Sequence, residues 1–132
     1  MDVFCKIVKG EIPCYKVYED DVCLAFLDVN PVSKGHTLVI PKSHFDDVID
    51  CNTEVYTHVM NVVRRLSTLI MKKMDAKGLN IVTNAKEVAG QTVPHFHVHI
   101  IPRYSDNDGY KAEYNKVEGL DLLQIQHDLT VE

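Results

Sequence analysis

Three histidines, His95, His97 and His99, occupy every second position between Pro94 and Pro102, with Phe96, Val98 and Ile100 interleaved. Strict alternation is the period of a β-strand. The segment is therefore predicted to bury Phe96, Val98 and Ile100 and to turn the three imidazoles outward together, lining one surface. Imidazole titrates near neutrality, attacks phosphorus and carbonyl centres, donates hydrogen bonds to phosphate oxygens and ligates metals. A row of three marks a reaction site. Distance argues against a metal site built from the triad alone. Neighbouring residues on one strand face stand about 6.6 Å apart and could share a zinc ion, whereas the outer pair at about 13 Å cannot with bonds of about 2.0 Å.

The elements that must carry this row fit one domain spanning residues 1–132, a length at which roughly two thirds of the unfolded surface is buried without staples. The composition is that of a soluble globular protein, 45% hydrophobic and 25% charged, with no apolar run of the ~20 residues that span a bilayer. No leader pattern follows Met1. A net charge of −5 argues against nucleic-acid binding through a basic face, while leaving room for a small phosphate-bearing ligand. Cys5, Cys14, Cys23 and Cys51 show no C-x-x-C spacing and read as reduced thiols, mostly core filler, in a cytoplasmic protein.

Lys16 to Glu19 and Cys23 to Leu27 read as a hairpin around Asp20-Asp21, and Asn30 to Gly35 as a turn leading into a strand from His36 to Ile40 that Pro41 ends. Val55, Val59, Val62, Val63, Leu66, Leu69 and Ile70 recur at helical spacing, opposite Arg64, Arg65, Lys72 and Lys73. One long amphipathic helix is predicted from Asn52 or Thr53 to about Met74, with Gly78 close to its stop. Leu79 to Asn84 reads as a strand, Lys86 to Thr92 as a loop and the histidine segment as the last strand. The tail from 105 to 132 is polar and of open structure, with a short helix predicted around Val117 to His127. The expected class is α+β, an antiparallel sheet with one long helix and short helices.

The triad with its two trailing apolar residues resembles the H-x-H-x-H motif of the histidine triad (HIT) family. The match extends to Ala89-Gly90-Gln91-Thr92-Val93 before it, Pro102-Arg103 after it, the block Gly35 to Lys42 and the opening Phe4 to Pro13. The chain is most similar to the small nucleoside phosphoramidase branch. That resemblance implies a homodimer cleaving purine nucleoside 5′-phosphoramidates. Dinucleoside polyphosphate hydrolysis and a nucleotide-binding regulatory module with little turnover stand as alternatives.

With the family as guide, His97 is assigned the attack on the α-phosphorus, which gives a covalent nucleotidyl-imidazole. His99 would stabilise charge on the phosphoryl oxygens, His36 would orient the site, and His95 would serve structure as much as catalysis. The resemblance places Asp28 on the ribose hydroxyls, Asn84 near the phosphate or the 5′ side of the ribose, and Gly90, Gln91 and Thr92 beside the phosphate and leaving group. Phe4, Ile7, Phe26 and Leu27 are candidates to sandwich the base. Some relatives hold a structural zinc. The corresponding positions here are Cys5, His44 and His95, but Asp2 stands where the first cysteine would, so a weak zinc site at most is expected there, with no metal bound and no cofactor required.

Overall fold

The fold is taken from a computed structural model, which describes residues 1–130; of the tail, Val131 and Glu132 lie outside the described residues. The elements in chain order are helix α1 (Val3–Val8), strands β1 (Lys16–Glu19), β2 (Cys23–Leu27) and β3 (Thr37–Pro41), helix α2 (Thr53–Lys73), strand β4 (Gly78–Val82), strand β5 (Val98–Arg103) and helix α3 (Leu122–Thr130). A single 3-10 turn, Glu87–Ala89, lies between β4 and β5. The five strands form one open antiparallel sheet in the order β1-β2-β3-β5-β4. The architecture is α+β. No helix of the described residues is long and apolar enough to cross a membrane.

Alternation along the strands gives the sheet two buried faces. Cys23, Ala25, Val39, Phe96, Val98 and Ile100 pack on one face against Val59, Val62, Val63, Leu66 and Ile70 of α2. Leu24, Phe26, Leu38 and Ile40 pack on the other against Phe4 of α1, with Ile7 and Val8 alongside. The interleaved Phe96, Val98 and Ile100 thus reach the predicted core. Of the periodic α2 residues, Leu69 is 42% exposed and falls outside the buried stripe.

Local chemistry sets the element ends. The Asn52 side chain accepts the Val55 N–H and starts α2, as predicted. Its stop is Asp75, in the left-handed region at φ 54°, whereas Gly78 already belongs to β4. Asp2 caps α1, an element too short to leave a periodic signal in sequence. The predicted last strand is displaced: His95, Phe96 and His97 precede the ladder, and β5 runs on through Pro102. The β3 pairing stops at Ile100↔Thr37, so proline at 102 sits where only β4 pairs. The tail helix lies a few residues later than predicted. Its Leu122, Leu123 and Leu129 are more than 70% exposed.

Candidate active site

The three imidazoles share the α1 face of the sheet, but they are not a solvated row. His95 and His97 are 0% and 5% exposed, because α1 covers that face. Phe4 stands edge-on to the His97 ring, with centroids 5.0 Å apart, and edge-on to Phe26 at 5.7 Å.

The hydrogen bonds fix the tautomers. A carbonyl oxygen only accepts, so the 2.7 Å bond between His97 Nδ1 and the His95 carbonyl places the hydrogen on Nδ1 and leaves Nε2 bare in the neutral ring. Thr83 holds the same residue from behind, its hydroxyl donating to the His97 carbonyl at 2.7 Å. His36 Nδ1 accepts the Val32 N–H at 3.2 Å, so its hydrogen lies on Nε2, which reaches His99 Nδ1 at 3.0 Å. His99 therefore carries its hydrogen on Nε2. Burial, the leading cause in each case, pushes the pKa values of His36, His97 and His99 below the ordinary range. For His99, with like charge from His97 and His36 adding, the value falls to about 4. At neutral pH the three rings are uncharged.

His97 and His99 line a cavity of about 460 Å³ together with Asp28 and Thr92. Its apolar wall is made by Phe4, Ile7, Phe26 and Leu27, the residues singled out as base-facing candidates. The Asp28 carboxylate accepts the Asn30 N–H at 2.8 Å through Oδ1, and its Oδ2 stands 3.6 Å from His36 Nε2. A bare imidazole nitrogen, an imidazole donor and a carboxylate thus meet beside an apolar slot.

The loop residues divide. Thr92 belongs to this cavity and also to an adjoining groove of about 630 Å³, which Gly90 and Gln91 line. The Gln91 side chain is spent on the loop itself. It accepts the Lys86 N–H at 2.8 Å and donates to the carbonyls of Asp46 at 2.6 Å and Val93 at 3.0 Å, so it braces rather than faces the cavity. Lys86 has φ 79° and ψ 155°, a conformation nearly reserved for glycine, and its ammonium meets the buried Asp47 carboxylate at 2.7 Å. Asn84 packs beneath Gly90, itself at φ 104°. His36 and His95 lie behind the cavity wall. Sequence reasoning passed over Thr83 and Val32, which act through backbone groups that no side-chain motif encodes, and the Lys86–Asp47 ion pair, whose partners lie far apart in sequence.

A second cluster joins α1 to the triad segment. Asp2, Cys5, His44 and His95 offer ligand atoms within 4.8 Å of one another. His95 Nε2 donates to the Pro41 carbonyl at 2.9 Å and His44 Nε2 to Asp46 at 2.8 Å. Each neutral ring therefore aims a bare Nδ1 at Asp2 Oδ2, at 3.3 and 2.9 Å, and at Cys5 Sγ, at 3.5 Å in both cases. Lone pairs converging on a carboxylate oxygen are bridged by a proton or by a metal ion, and the neighbouring Asp46 and Asp2 carboxylates push the His44 pKa up. A tetrahedral zinc with bonds of about 2.0–2.3 Å has ligand edges of about 3.3–3.7 Å, and ligating histidines characteristically donate their other N–H to a carbonyl or carboxylate. The cluster fits zinc, with Asp2 taking the place of the missing cysteine.

Comparison with known proteins finds relatives of the chain and of its fold. Residues 9–106 match the family described as HIT domain. The chain is 47% identical over 110 residues to the protein hit of Bacillus subtilis, covering 83% of this chain and 76% of that protein. It is 40% identical over 107 residues to the adenosine 5′-monophosphoramidase hnt1 of Schizosaccharomyces pombe, covering 81% and 77%. The crystal structure of a HIT family protein from Bacillus anthracis superposes with a TM-score of 0.90 at 43% identity, over 97% of this chain and 92% of that one.

Proposed function

The chain belongs to the HIT family, and from that premise we propose that it hydrolyses the P–N bond of purine nucleoside 5′-phosphoramidates through His97. One observation carries the reading: the His95 carbonyl holds the Nδ1 hydrogen of a buried His97 whose other nitrogen is bare in a ring lining the cavity. The base enters between Phe4, Ile7, Phe26 and Leu27, and Asp28 accepts the ribose hydroxyls. His97 Nε2 attacks the α-phosphorus. A phosphorus–imidazole bond forms as the P–N bond breaks, and the departing amine takes a proton from solvent water, which the hydrolytic step returns. The His99 Nε2–H donates to the phosphoryl oxygen as charge builds, and the Thr92 hydroxyl bonds the departing nitrogen. Water then cleaves the nucleotidyl-imidazole, releasing nucleoside monophosphate and restoring His97. Asn84 and Gly90 shape the phosphate side from the braced loop.

The reaction in this reading requires no cofactor. Asp2, Cys5, His44 and His95 would hold zinc, which when bound supplies a cross-link between α1 and the triad segment. The protein acts in the cytoplasm as a homodimer, and the exposed apolar side chains of α3 support the dimer. Light scattering should give twice the chain mass of 15.0 kDa; a mass of one chain would contradict the dimer.

The functional test is chromatographic. Adenosine 5′-phosphoramidate should yield AMP with the wild-type protein and none with His97→Ala, while both bind AMP. Faster cleavage of a dinucleoside polyphosphate would transfer the assignment to that leaving group, and AMP binding without turnover of either would make the protein a binding module.

A further inference from the structure

The Pro102-Arg103 step and residues 104–109 are not used by the mechanism above, yet they converge on the donor that fixes the His36 tautomer. The Arg103 guanidinium pairs with Asp108 and donates to Asn80 Oδ1 at 2.9 Å, and the second Asp108 oxygen accepts the Tyr104 N–H at 2.6 Å. These contacts close residues 103–109 into a compact turn. The turn grips the loop before β3 at two points: the Tyr104 hydroxyl donates to the Lys34 carbonyl at 2.6 Å, and Gly109 lies so close to Val32 that a Cβ there would overlap its carbonyl. Gly35, at φ 91°, is held between Met74 and Pro102. The N–H of the gripped Val32 is the donor to His36 Nδ1.

We propose that the 103–109 turn is a positioning clamp, which fixes the Val32 N–H and thereby sets the polarity of the His36–His99 imidazole pair. The inference rests on the catalytic reading of His99 given above. With the Val32 N–H in place, His36 Nδ1 must accept, Nε2 must donate, and His99 is left with Nε2–H for the phosphoryl oxygen. Without it, the His36 hydrogen is free to move to Nδ1. His99 must then donate from its own Nδ1, and it turns a lone pair toward a negatively charged phosphate. One backbone N–H decides between a stabilising donor and a repelling acceptor.

The test reads tautomers directly, by long-range proton–nitrogen correlation on protein labelled with 15N in its histidines. Wild type should show His36 and His99 each with hydrogen on Nε2. Gly109→Ala, whose methyl has to displace Val32, should populate the Nδ1–H form of His99 and lower phosphoramidate kcat about tenfold, with AMP affinity unchanged within about twofold. Should that variant fail to fold, Tyr104→Phe carries the test in the same direction with an effect of about threefold. Wild-type tautomers in a folded Gly109→Ala or Tyr104→Phe protein would overturn the clamp, as would Nδ1–H on His99 in wild type. The spectra need no turnover. If wild type releases no AMP, the catalytic reading falls while the tautomers still judge the clamp.

Discussion

The carbonyl oxygen of His95 accepts the Nδ1 hydrogen of His97 at 2.7 Å, and the side chain of the same His95 belongs to the Asp2–Cys5–His44 cluster. One residue thus sets the tautomer of the candidate nucleophile with its backbone and joins that nucleophile to α1 with its ring. This double use explains why the outer histidine of the triad is the most buried of the three, away from the cavity that the other two line.

Activity should not fall off until the pH drops below about 6.5, because burial keeps the His97 pKa below the ordinary histidine value of about 6.5. The acid limb of a kcat/KM profile is therefore expected below pH 6.5, and a midpoint above that value would contradict the assignment. Stability follows the same sign. The unfolded chain protonates its histidines near pH 6.5 while folded His99 resists to about 4, so across that window the unfolded state binds more protons and stability falls as pH falls. Urea midpoints at pH 7 and pH 5 check this, the pH 5 value being the lower.

Asp28→Asn keeps an oxygen to cap the Asn30 N–H but removes the charge offered to the ribose. A hydrogen bond to a charged group contributes about 1.5–3 kcal/mol, so affinity for AMP should fall at least about tenfold. Affinity for 2′,3′-dideoxy-AMP should barely change. Equal losses for both nucleotides in calorimetric titrations would remove Asp28 from the ribose site.

Protein purified without a metal-affinity column should contain about one zinc per chain, given that the ligand atoms of Asp2, Cys5, His44 and His95 lie within 4.8 Å of one another. Chelation should lower the Tm, because an ion held there would tie α1 to the triad segment. Asp2→Ala should lose both the zinc and the α1 cap, and a cap alone contributes about 1 kcal/mol. Metal content unchanged in Asp2→Ala would exclude it as a ligand.

Much of the site was legible because side-chain type and period carry it. Alternation placed Phe96, Val98 and Ile100 in the core and the three histidines on one face, and the turn residues before Thr37 brought His36 beside His99. The burial of that face was not legible, since the six residues of α1 span too few turns to show a period. Nor was the end of the ladder at Val98. Phe96 donates its N–H to the Phe45 carbonyl at 2.6 Å instead of to a strand, a tertiary choice with no local signature. The resemblance implies Gln91 beside the phosphate, whereas its side-chain N–H groups donate to the Asp46 and Val93 carbonyls and its oxygen accepts the Lys86 N–H.

The most direct test of the central claim is intact-protein mass spectrometry after brief incubation with adenosine 5′-phosphoramidate and a cold acid quench. The account predicts a transient adenylyl adduct on wild type, mapping to His97 and absent from His97→Ala. AMP release with no adduct, or an adduct that persists in His97→Ala, would contradict covalent catalysis at His97.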